Sequence, residues 1–151
     1  MEKAKRGEID LSREEDLAVG LMNLISLEEH LFFTAMKTEN KKYIDLMEKI
    51  RELRKKLLAE IVKEPKGEEW CISKHLLAAS MRLIEVGNKH LTRGEKKEAE
   101  EKFRMAYDLF SLFWAINLKM VGFEKLKEKK EDGFFSRLRK IVGEIVDCCL
   151  E

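Results

Sequence analysis

FRMAYDLFSLFWAINL, residues 103–118, places apolar side chains on almost every side of a helical wheel, with Phe110, Phe113, Trp114 and Ile116 among them. A surface helix keeps one apolar stripe and one polar face, so a helix that is apolar nearly all round is buried on most sides. It is not a membrane span. Its most apolar window, Met105 to Leu118, has 14 residues and contains Asp108, Ser111 and Asn117, against about 20 mostly apolar residues needed to cross a bilayer. The stretch therefore reads as the central helix of an all-α protein, and the rest of the chain has to cover it.

Working outward, each flank supplies amphipathic helices. Ser12 and Glu15 have the spacing of a capping box, in which the hydroxyl accepts one orphan N–H and the carboxylate reaches back to another. From about 13 to 37, Leu17, Leu21, Leu24, Leu31 and Ala35 recur at helical spacing, with Ile25 and Phe32 beside them. Thr38, Glu39 and Asn40 break the pattern. A second helix, about 41–63, carries Tyr43, Leu46, Met47, Ile50, Leu53, Leu57 and Ile61 on one face until Pro65 and Gly67 stop it. A third, about 68–91, turns Ile72, Leu76, Ala79, Leu83 and Val86 inward, and Trp70 packs over a bundle end. Thr92, Arg93 and Gly94 form a tight turn into the fourth helix, about 95–120, which Gly122 ends. Beyond the lysine-rich connector 124–131, a helix at about 134–149 presents Phe134, Phe135, Leu138, Ile141 and Ile145. Short turns between long helices favour antiparallel neighbours. The expected fold is an up-down antiparallel four-helix bundle with an additional C-terminal helix, residues 1–151 forming a single domain. Four helices cover a central one only in part, so the last helix or a second subunit covers the remainder, and a homodimer is an expectation.

Composition bounds the function classes. With 44% apolar residues and 30 basic against 29 acidic side chains among 151 residues, the chain lacks the low hydrophobicity and high net charge of disordered sequences. A net charge of +1 makes duplex nucleic acid an improbable partner, because such domains carry a strong basic excess. A local excess of +4 at 119–140 faces −2 at 2–16, a bias more typical of solvated faces. The abundance of Lys and Glu, with 39% charged residues and one proline, resembles heat-adapted composition. Cys71, Cys148 and Cys149 are an odd, unspaced set, which reads as reduced thiols in a cytoplasmic protein. The charged N-terminus is unlike a signal peptide.

Residues 80–113 resemble one tetratricopeptide repeat, with Leu83, Gly87, Gly94, Ala99, Phe103 and Ala106 at matching offsets. His90 stands where that repeat has tyrosine, and no second copy occurs 34 residues away, whereas solenoids need about three repeats. The same stretch is similar to the helix pair of HEPN domains, a resemblance that implies an RNA-associated protein. HEPN ribonucleases use an arginine and a histidine separated by four to six residues. Here Arg82 and His90 have seven between them, on the other helix of the pair. A close-packed hairpin accounts for both likenesses without common function.

Three polar features interrupt the apolar pattern. Glu28 falls on the central line of the first helix, where a carboxylate is costly unless paired or ligating. Arg54, among Tyr43, Met47 and Ile61, is its counterpart, and an ion pair between adjacent helices is the expectation. On the third helix Cys71, Lys74, His75, Arg82 and Glu85 form a ribbon about 100° wide. Cys71 and His75, one turn apart, have the spacing to share a zinc ion, but a solvated or interface face is the simpler reading. His90 sits where a histidine satisfies the last carbonyls of a helix. No catalytic residue is assigned. The leading expectation is a non-catalytic protein-interaction or scaffold module. The alternatives are a metal-binding bundle, zinc or di-iron-like, drawing on Glu28, Glu29, Cys71 or His75, and an HEPN-like RNA-associated protein.

Overall fold

The computed structural model describes residues 11–119 and 131–145. Among the described residues there are five helices and no strand: α1 (Ser12–Thr38), α2 (Lys41–Ile61), α3 (Glu69–Thr92), α4 (Lys96–Asn117) and α5 (Glu131–Ile145). The expected all-α bundle with a C-terminal helix is the fold found. The most extensive packing is within two hairpins, α1/α2 and α3/α4; α1 lies against α3 to join them, and α5 packs on α4.

Turn chemistry sets the hairpins. Glu39 takes a left-handed backbone, φ 54°, and the Asn40 side chain accepts the Lys42 N–H at 3.0 Å, capping α2. Gly94, φ 77°, lets the chain reverse between α3 and α4. Ser12 does not hold the N-cap position expected of it. It is already inside α1, and Leu11, which packs against the core, occupies the cap position without a side-chain cap bond. α4 stops at Asn117, short of the expected 120, with Lys119 at φ 55°. Lys119 Nζ donates to Glu69 Oε2 at 2.7 Å, tying that end to the start of α3. That bond, with the Lys66 N–H, holds the Glu69 carboxyl below the usual glutamate range. Gly122, Cys148, Cys149 and the Ile145 side chain lie outside the described residues.

All five helices share one core: Ala18, Leu21, Met22 and Ile25 from α1, Leu58 and Ile61 from α2, Leu76 and Leu77 from α3, Phe110 and residues 113–116 from α4, and Leu138 and Val142 from α5. Phe113 and Trp114 are 0% and 1% exposed and meet edge to face at 5.3 Å. Each such side chain contributes about 1.5–3 kcal/mol by burial. α4 is enclosed over 110–116, but Met105 and Tyr107 nearer its start are 42% and 41% exposed, so all-round burial holds for only half of the stretch. α5 covers the central half. Phe134, Phe135 and Ile141 pack beside Leu138 and Val142, and Arg139 pairs with Asp108 of α4.

Two helix faces differ from expectation. On α3 the buried positions are Ser73, Leu76, Leu77, Ser80 and Gly87, while Ala79 and Val86 are exposed. The face is chosen by size as well as apolarity. A Cβ on Gly87 would lie 2.4 Å from the Phe103 ring, so only glycine admits that ring. Ser80 Oγ donates to the Leu76 carbonyl within the helix, at 2.8 Å, and Ser73 Oγ accepts from Asn117. Ser80 is thus satisfied within its own helix, while Ser73 is satisfied across the α3/α4 contact. On α2 the buried side chains are Arg54, Leu58 and Ile61, while Leu46 and Leu53 are 45% and 47% exposed. The broad apolar face is thus two lines, of which one faces α1 and the other faces outward.

Candidate functional site

The polar residues singled out in the sequence separate into four places. Arg54 is buried on α2 and donates from Nε to Glu28 Oε1 at 2.6 Å and from Nη2 to Oε2 at 3.2 Å. The pair is bidentate and bridges α1 and α2, with Arg54 4% and Glu28 17% exposed at the side chain. Both Glu28 oxygens accept from the guanidinium, so the buried positive charge is matched by a two-pronged carboxylate.

Glu29 and Arg82 meet in a shallow cleft where α1 passes α3. Arg82 Nη2 donates to Ser26 Oγ at 2.6 Å, and its Nε lies 3.6 Å from Glu29 Oε2. His30 and Phe33 line the same cleft. Both partners of this ion pair are roughly half exposed, so it contributes at most about 1 kcal/mol. Cys71 and His75 are exposed, and Lys74 and Glu85 half-buried, on the outer side of α3. Cys71 is a free thiol. Among the described residues, no three or more His, Cys, Asp or Glu side chains gather closely enough to hold a metal ion. His90 does not cap the carbonyls of α3 with its ring. Nδ1 instead meets Glu95 Oε2 across the turn, while backbone N–H groups of Arg93 and Glu95 reach the His90 carbonyl.

A further feature, absent from the polar residues above, is the surface of the α1/α2 hairpin. Phe32, Phe33 and Met36, near the end of α1, are 47%, 57% and 54% exposed. They continue the helical line of Ala18, Met22 and Ile25 beyond the reach of the core. On α2, Tyr43, Leu46, Ile50, Leu53 and Leu57 recur at alternating spacings of three and four, the heptad pattern of a helix that packs along another helix. Tyr43, Ile50 and Leu57 are half-buried, and Leu46 and Leu53 stand out from the bundle. Lys42, Lys49 and Lys56, seven residues apart and all exposed, flank this line. The signal in the sequence is lysine at every seventh position beside the apolar run. Placing Leu46 and Leu53 on the inward face conceals it.

None of the described helices is long and apolar enough to cross a membrane. Compared with protein-family models, curated proteins and solved structures, the chain matches none of them.

Proposed function

We propose that this chain is a non-catalytic interaction module that presents the α1/α2 hairpin to a protein partner. One observation supports the reading: large apolar side chains are left in the open along both helices of one hairpin, namely Phe32, Phe33, Met36, Leu46 and Leu53. Single exposed apolar residues are ordinary on a soluble protein, but a concentration of them on one element marks a contact surface. The polar groups beside it are consumed in structural pairs, Arg54 with Glu28 and Arg82 with Glu29.

The test is quantitative affinity capture with three forms of the full chain. The wild type is compared with Leu46→Glu/Leu53→Glu and with His75→Ala/Arg82→Ala. Loss of a bound protein on the hairpin variant, with retention on the α3 variant, supports the module. An identical set of bound proteins on all three forms removes it. Circular dichroism of each form confirms that the helices remain.

A further inference from the structure

Resting on that reading, we infer that the outer line of α2 is a docking seam for an amphipathic helix with acidic flanks. In heptad terms, Tyr43, Ile50 and Leu57 occupy a positions and Leu46 and Leu53 occupy d positions. The seam is open because α1 covers the neighbouring line of α2, through Arg54 and Leu58, and α5 packs on α4 instead. The fourteen steps from Tyr43 to Leu57 rise about 21 Å, so an occupying helix needs four turns. A third helix in this groove buries Leu46 and Leu53, which the bundle itself leaves 45% and 47% exposed.

Charge selects the occupant. The g positions beside the seam are Lys42, Lys49 and Lys56, and none of them forms an ion pair among the described residues. At the e positions are Met47 and Arg54, the latter already held by Glu28. Residues at e and g face the partner's own edges and set its identity and orientation. A second copy of this chain brings lysine opposite lysine when antiparallel, and lysine opposite Met47 or Arg54 when parallel. Neither edge offers an acid, so self-pairing is disfavoured in both directions. A lipid surface fits less well, because it contacts a whole helix face and would bring Asp45 and Glu52, both exposed beside the lysines, against anionic headgroups. A helix lying in the seam touches the a, d and g positions of α2, because α1 already covers the e line through Arg54. Glutamates at every seventh position of such a helix face the three lysines in turn.

The experiment uses the full chain and two synthetic 21-residue helical peptides with leucine at a and d, one carrying Glu and the other Lys at e and g. The Glu peptide should bind at least tenfold more tightly at low ionic strength, with the difference shrinking in 1 M salt, where screening acts within about 3 Å. Lys42→Glu/Lys49→Glu/Lys56→Glu, all surface changes, should invert the preference. Equal affinity for both peptides, or a preference that survives charge reversal, overturns the proposal. So does binding to anionic vesicles or dimerisation through this face, read by flotation and light scattering on wild type and Leu46→Glu/Leu53→Glu. If the Glu peptide fails while the Leu46→Glu/Leu53→Glu form still loses a captured protein, the acidic-helix assignment falls and the interaction module stands. If neither responds, both fall.

Discussion

Arg54 is the most buried charged residue among those described, 3% exposed overall, and it stays there only because Glu28 meets its fork with two oxygens. Removing one partner of a buried pair costs about 3–5 kcal/mol, whereas replacing both with apolar groups can be neutral. Glu28 keeps some water contact, so the lower end applies. Arg54→Leu and Glu28→Leu should each lower the melting temperature by several degrees, and the double variant should regain most of the loss. A double-mutant cycle in thermal denaturation measures this coupling. Strictly additive losses would show that the two side chains do not depend on each other. This contact is legible in the amino-acid sequence, because one acid and one base each interrupt an apolar helical line. The His90–Glu95 contact is not, since it depends on how the turn at Gly94 folds back.

At the scale of single helices, periodicity locates all five elements to within a few residues, yet it misjudges which line of α2 and α3 turns inward. Apolarity ranks Ala79 and Val86 above Ser73, Ser80 and Gly87, while the α3/α4 contact selects for small volume. Gly87 and Phe103 form the clearest instance, and both are among the residues that carry the likeness to the tetratricopeptide repeat. Alanine at an exposed helical glycine gains about 1 kcal/mol from propensity. At Gly87 the methyl meets the Phe103 ring, and overpacking of this kind costs about 1–3 kcal/mol. Gly87→Ala should therefore be destabilising in chemical denaturation, and Phe103→Leu in the same chain should restore part of the loss. A stabilised Gly87→Ala protein would mean that the two helices separate without penalty.

Across the whole molecule the burial is uneven. The core gathers residues 18–25, 58–62, 76–77, 110–116 and 138–142, while the α1/α2 hairpin between residues 29 and 53 carries Leu31 and Ala35 as its few buried side chains. Local opening free energy follows buried contact. Amides at 29–53 should thus exchange with solvent at least about tenfold faster than those at 18–25 and 110–116, as read by hydrogen exchange and mass spectrometry. Uniform protection would contradict this division. Occupancy of the α2 seam should slow exchange in that hairpin first.

A core that draws on every helix also has a history in time. Ile25 and Leu138 meet in one cluster, but translation at about 5–20 residues per second separates their synthesis by roughly 6–23 s. No hairpin can complete its burial alone during that interval, because Phe113 and Trp114 arrive after both α1 and α2 have left the ribosome. The nascent chain therefore carries an unburied leucine-rich line through most of its synthesis, and it is on the ribosome, before α4 and α5 emerge, that its apolar surface is most open.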